Sequence, residues 1–447
     1  MDMNKPNKFI DGLTKVAGKL STNNYIMAVR DGFAGTIPIT ITAAFFLLIN
    51  NVLLADKTGF LRNMPGHTIL SNIGVQAYNG TLGILTVLVT FLIGFRLANY
   101  LKSDGATAGI VSVACYVALI PNTIAVTTMA GKTVNAAGVL TQSQTSATAM
   151  ILGIIASLLG TTILVKFNGN DKLQIKMPDG VPPAVAKAFS SLFPAFFTIT
   201  IFAAVEEIVV ALTHSTVPDI IVKVLQAPLV GGFQSLPGIL LYVFLATVVF
   251  IFGIHGAFVF GAISGPILLT SLQQNIDAVK AGHAATNIVT QPFLDAYVYM
   301  GGGGTMLCLV IAILIFSRRK DERMIANIGG VASLFNISEP MMFGVPIVFN
   351  PIYAIPFVVA PMVATIMAYA ATAWHLVNTT YILIPWVTPP IISGYLATGG
   401  DVRASILQIL TLVVGTLIYA PFAMVSNRAF KKQQAKDEML QAEPKKA

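Results

Sequence analysis

Uncharged apolar runs separated by polar or turn-forming segments set the pattern of this chain. They cover positions 32–54, 81–95, 106–129, 147–165, 193–205, 237–254, 257–272, 303–316, 351–372 and 404–425. Several reach the roughly 20 residues that a helix needs to cross about 30 Å of hydrocarbon, and the shorter ones need flanking residues to complete the span. Lipid offers no partners for open backbone groups, so the crossings have to be helical. The pattern predicts an all-α polytopic membrane protein with about ten transmembrane helices.

The two ends of the pattern differ in texture. Positions 166–187 are polar and turn-rich, and Met177-Pro178-Asp179-Gly180-Val181-Pro182-Pro183 breaks any helix before Val185, Phe189, Leu192 and Phe193 fall on one new face. This predicts an amphipathic segment at 1–30, a first membrane half at 31–190 that includes the linker, a second half at 191–427 and a tail at 428–447. The second half is interrupted by Gly, Pro and isolated polar residues at membrane depth, the mark of irregular backbone lining a cavity. Positions 284–300 and 328–348 read as two re-entrant hairpins. Near the start, Phe9, Leu13, Val16 and Leu20 share a face flanked by Lys5, Lys8, Lys15 and Lys19, which suits an interfacial helix and equally a frayed, solvated tail. The first 30 residues lack the apolar core and small-residue cleavage site of a removable signal peptide.

Composition agrees with this reading: 55% of the 447 residues are hydrophobic and 10% charged, against about 25% charged in soluble domains. With the N-terminus in the cytoplasm and ten crossings, Lys57, Arg62, Lys132, Lys223, Lys280 and Arg403 fall outside and the rest of the 27 Lys and Arg fall inside. That bias places both termini in the cytoplasm. The net charge of +8 is thereby a topology signal and calls for no nucleic-acid partner. Cys115 and Cys308 both lie within apolar runs as packing residues and cannot build a metal cluster. No serine nucleophile elbow, HExxH or EF-hand loop occurs, and no metal or other cofactor is expected.

Chemistry concentrates in the second half. Glu339 is the only acidic residue between Arg323 and Asp401, in Phe335-Asn336-Ile337-Ser338-Glu339-Pro340. A carboxylate in hydrocarbon costs at least about 2.5 kcal/mol, so it should face protein or water. Pro340 and Gly344 disfavour an unbroken helix, which places Glu339 near the tip of a hairpin. His255, in Gly253-Ile254-His255-Gly256, stands at a break between two crossings, where an imidazole can donate to a ligand hydroxyl or orient a carboxylate; the competing reading is a packing residue. Gln291, Phe293 and Asp295 precede Gly301 to Gly304, which are followed by no Lys-Ser or Lys-Thr and so make no nucleotide loop; helix packing is the plainer use of those glycines. Trp386, in a proline-broken stretch, suits either the flat face of a sugar or an interfacial belt, whereas Trp374 beside His375 reads as belt. Glu206 and Glu207, about 100° apart on a helix, cannot act on one atom and read as boundary residues.

Phe335-Asn336-Ile337-Ser338-Glu339-Pro340, with Phe343-Gly344-Val345-Pro346-Ile347-Val348-Phe349-Asn350-Pro351, closely resembles the signature of the lactose/cellobiose/chitobiose enzyme IIC family of the bacterial sugar phosphotransferase system. Gly253-Ile254-His255-Gly256, Val181-Pro182-Pro183-Ala184-Val185 and the stretch from Gln291-Pro292-Phe293 to the glycines fit in order and spacing. The resemblance implies a homodimeric permease whose first half makes the dimer contact and whose second half holds a disaccharide. It implies that Glu339 and His255 hydrogen-bond the C6 hydroxymethyl group of the non-reducing sugar, that Trp386 stacks on the sugar and that Asn336 lines the pocket. Phe250 stands where some relatives carry a second aromatic ring, often tryptophan, and Gln291 joins the expected binding set. It further implies phosphorylation at C6 by phosphorylated enzyme IIB, here a separate chain charged in turn by enzyme IIA. The competing functions are an ion-coupled sugar carrier with Glu339 as the protonatable residue, and a non-transporting receptor with Glu339 in a dry core.

Overall fold

The computed structural model describes residues 22–442 except 56–58, 60, 128–131, 176, 179, 346 and 349. The amphipathic face expected from Phe9 to Leu20 lies outside the described residues. Among the described residues the regular structure is helical apart from one two-stranded ribbon. In order, the main elements are α1 (Asn24–Gly35), α2 (Ile37–Leu48), α3 (His67–Asn79), α4 (Leu85–Tyr100), α5 (Gly105–Ala118), β1 (Thr123–Thr127), β2 (Thr133–Ala137), α6 (Met150–Asn168), α7 (Pro183–Ser190) and α8 (Leu192–Thr213). There follow α9 (Leu236–Ile251), α10 (Gly256–Lys280), α11 (Met306–Phe316), α12 (Lys320–Leu334), α13 (Glu339–Gly344), α14 (Pro351–Ala373) and α15 (Val402–Ala442).

Five helices of the described residues are long and apolar enough to cross a membrane, or seven if each of two bent pairs is one span, which is fewer than the ten apolar runs. The bends fall at Thr36, just before Pro38 (43°), and at Ser235, just before Pro237 (83°), where proline removes a backbone donor. Three further runs fold into elements that miss that length or apolarity. The run at 106–129 stops being a helix at Ala118, because Pro121 follows and the β-branched Thr123, Ile124, Val126 and Thr127 pair with β2 instead, Thr123 opposite Ala137. The all-α class holds, with this short ribbon as an addition that the run of apolar residues did not announce. Met306–Phe316 is short, and α10 is long but carries Ser264, Ser271, Gln273, Gln274 and Asn275.

Three large cores form among the described residues, the first from Ile239, Leu268, Phe293, Tyr297 and Leu407, with two more beside it. One gathers Leu85, Val89, Ile93 and Leu97 of α4 with Ala43, Leu47, Tyr78 and Met150, and it also takes Leu272 and Ile276 from α10. The other joins α11 to Phe250, Met341, Met342, Tyr353, Phe357 and Tyr419. Helix α8 packs on α5 and α6 through Phe202, and its Glu206 accepts from the Val217 amide at 3.0 Å, which suits the boundary reading.

The two stretches read as hairpins are both broken. Residues 283–290 are extended and pinned by side chains: Asn275 accepts from the Asn287 amide and Gln234 from the Val289 amide, at 2.9 and 2.8 Å. One helical turn, a π-helical turn at Leu294–Val298 and the glycine run then lead into α11. The second stretch is a helical hairpin in which α12 turns at Phe335–Ser338 into α13. Its arms approach closely because Gly329 faces Met341 and Gly344 faces Ile325; a Cβ on either glycine would meet those side chains within 3 Å.

Candidate functional site

His255 occupies the N-cap of α10, one residue before a helix crossing of unusual closeness. A Cβ on Gly256 would lie 2.0 Å from the Ala246 carbonyl oxygen, so α9 and α10 touch backbone to backbone there, and Gly253, at φ +80°, makes the turn between them. The imidazole is supported from α9 by the Phe250 ring, 4.5 Å between centroids, and Phe250 in turn meets Phe357 edge-on at 5.8 Å. Phe250 is only 4% exposed, so it backs the imidazole as a packing ring and presents no open face.

Glu339 opens α13 directly after the hairpin turn. Its Oε1 lies 3.9 Å from His255 Nε2, and its side chain is 48% exposed while that of His255 is 30% exposed. That separation is too long for a direct hydrogen bond. A hydroxyl oxygen placed about 2.8 Å from each atom fits between them, donating to the carboxylate and accepting from Nε2–H.

Asn336 ties this arrangement together. Its Oδ1 accepts from the Gly301 amide at 2.7 Å, and its Nδ2 donates to the carbonyls of Trp386 and Thr388 at 2.6 and 3.2 Å. The hairpin turn, the glycine run and the Trp386 loop thus meet at one side chain. The glycines are needed for it: a Cβ on Gly302 would strike Ser338, one on Gly303 would lie 2.6 Å from the Phe250 ring, and one on Gly304 would run into Phe357. Trp386 is 45% exposed beside this junction.

The structure therefore brings His255, Glu339, Asn336, Phe250 and the Trp386 loop into one network. Gln291 sits differently, its amide donating to Asp295 Oδ1 at 2.9 Å in a wall built from the buried Phe293 and Tyr297. Asn336 serves as an anchor more than as a pocket liner, since its amide group makes three hydrogen bonds within the protein. Phe357 and Gly303 belong to the network and carry no local sequence signal beyond the glycine run itself.

Comparison with known proteins places this geometry. Residues 30–361 match the family described as "Phosphotransferase system, EIIC". The chain is 34% identical to the oligo-beta-mannoside-specific EIIC component of Bacillus subtilis, covering 95% of this chain and 96% of that one. It is 33% identical to the cellobiose-specific EIIC component of Lactococcus lactis, over 93% and 96%. The crystal structure of ChbC, the IIC component of an N,N'-diacetylchitobiose-specific phosphotransferase system, superposes with a TM-score of 0.86 at 30% identity, over 96% of this chain and 99% of that one. With the family model spanning most of the chain and the fold shared from end to end, the protein belongs to the EIIC family, the sugar-permease components of the phosphotransferase system.

Proposed function

We propose that the chain binds a disaccharide of the cellobiose, chitobiose or lactose type and carries it across the cytoplasmic membrane, presenting its C6 hydroxyl to phosphorylated enzyme IIB. The Glu339–His255 pair carries this reading. Its 3.9 Å gap accommodates one hydroxyl that donates to the carboxylate and accepts from the imidazole. With the hydroxyl so held, Glu339 orients it towards the incoming phosphoryl group and stands ready to take its proton. Positioning supplies most of the effect in phosphoryl transfer. Trp386, half exposed, covers the sugar face, and Gln291, held by Asp295, shapes the far wall.

In this reading the shorter and polar helices complete ten crossings, 284–300 and 328–348 are re-entrant, and both termini are cytoplasmic. The first half with its linker is the scaffold and the second half the sugar carrier. The chain works as a homodimer joined through the first half. The relatives give no support to an ion-coupled carrier.

The test is made in inside-out vesicles loaded with labelled cellobiose, lactose or diacetylchitobiose and supplied outside with phosphorylated enzyme IIB. Sugar 6-phosphate should form only with IIB, and Glu339→Gln should reduce it by at least about 100-fold. Free sugar leaving equally fast without IIB, in response to a proton gradient, would refute the proposal.

A further inference from the structure

Glu322 is 2% exposed and lies near the start of α12, the helix that leads into the turn bearing Asn336. It is the acceptor centre of a polar hub. Ser317 Oγ donates to its Oε2 at 2.7 Å, while Ser426 Oγ of α15, at 2.6 Å, and Tyr353 OH of α14, at 3.1 Å, donate to its Oε1. Arg319 Nη1 reaches the same oxygen at 3.1 Å and also donates to Ser426 Oγ at 3.0 Å. The guanidinium lies 4.4 Å from the centroid of the Phe430 ring and pairs with Asp321, whose carboxyl it holds below the usual range. Asn427 closes the hub by accepting from Ser317 Oγ and from the Arg318 amide, at 3.1 and 2.8 Å, and by donating to the Phe316 carbonyl.

A buried carboxylate is retained at a cost unless its partners satisfy it, and none of these partners touches the sugar site. The hub does two things at the turn between α11 and α12: it turns Arg319 inward, against α15, and it leaves Arg318 and Lys320 exposed. The hairpin tip is secured separately, by the three bonds of Asn336 at the other end of a 15-residue helix, about 22 Å away.

Resting on the function proposed above, we infer that Glu322 is a positioning residue for the phosphoryl donor. It fixes the 317–320 turn so that Arg318 and Lys320 form a cationic docking point for an acidic face of phosphorylated IIB. Arg319 is a structural cation of the hub and takes no part in the contact.

The experiment titrates phosphorylated IIB at saturating sugar in the vesicle assay, and separately titrates sugar onto the purified full chain without IIB. Glu322→Gln, which removes the buried charge that holds Arg319 Nη1, should raise the KM for IIB roughly tenfold while the kcat stays within about twofold. Its sugar affinity should match the wild type. The double substitution Arg318→Glu and Lys320→Glu leaves the hub intact and should raise the same KM further, with an effect that shrinks as salt rises. Arg319 replaced by Ala should behave as Glu322→Gln does. A Glu322→Gln chain whose sugar affinity falls while the KM for IIB rises, or whose kinetics do not change, overturns the inference, as does a charge-reversed turn with normal kinetics. Wild-type vesicles that make no IIB-dependent sugar phosphate overturn the underlying function instead.

Discussion

At Asn336 the backbone stands at φ +60°, a region that asparagine tolerates better than other side chains, and its amide spans three segments. The string that marks this stretch in the sequence identifies the residue but not its task, because its partners Gly301 and Trp386 are 35 and 50 positions away. Two substitutions separate backbone from side chain. Asn336→Gly keeps the conformation and loses three hydrogen bonds, for about 3 kcal/mol of stability at roughly 1 kcal/mol each. Asn336→Ala loses the same bonds and adds about 1 kcal/mol of left-handed strain. Both should weaken sugar binding, alanine more, as read by thermal unfolding in detergent and by sugar titration. Wild-type behaviour of Asn336→Gly would remove the anchor role. Charge and glycine context singled out Glu339 and His255 individually, the family resemblance implied that they share one hydroxymethyl group, and the structure adds their 3.9 Å separation.

Among the elements, the glycine run shows how backbone contact sets the site. Its chemical reading from sequence was negative, no nucleotide loop, and packing was the plainer alternative; the structure gives that packing a target in Phe250 and Phe357. Gly303→Ala puts a methyl 2.6 Å from a ring held between His255 and Phe357, so the ring cannot yield without moving the imidazole. Expected is a loss of roughly 10-fold in sugar affinity, in line with the 1–3 kcal/mol of overpacking. Phe250→Leu in the Gly303→Ala background should recover part of it. No recovery in the double mutant would place the damage elsewhere. The run at 106–129 illustrates the opposite limit. Hydropathy alone did not separate a helix from a helix followed by a β-branched strand, and only the pairing with β2 decides it.

For the whole molecule, the telling contact is the seat of α10. This helix starts at His255, yet its far end packs into the core built on α4: Gln273 Nε2 donates to Tyr78 OH at 2.6 Å, Lys280 Nζ lies 3.6 Å from the centroid of the Tyr78 ring, and Thr270 Oγ1 donates to the Ala147 carbonyl at 2.9 Å. Gln273→Leu strips the buried Tyr78 hydroxyl of its partner and should lower stability by about 1–3 kcal/mol. Because α10 runs from His255 into the α4 core, the substitution should also change the rate of sugar translocation at unchanged sugar affinity. A variant that unfolds at lower temperature but translocates normally would make the contact a plain staple. By itself the sequence determined the membrane setting, the helical class, the broken second half and the family, since these follow from hydropathy, charge bias and contiguous motifs. Tertiary structure alone decided which runs fall short of a span, that Asn336 and Glu322 are hubs, and how wide a gap separates a histidine and a glutamate 84 positions apart. Each of those depends on contacts between segments far apart in the chain, and no local periodicity encodes them.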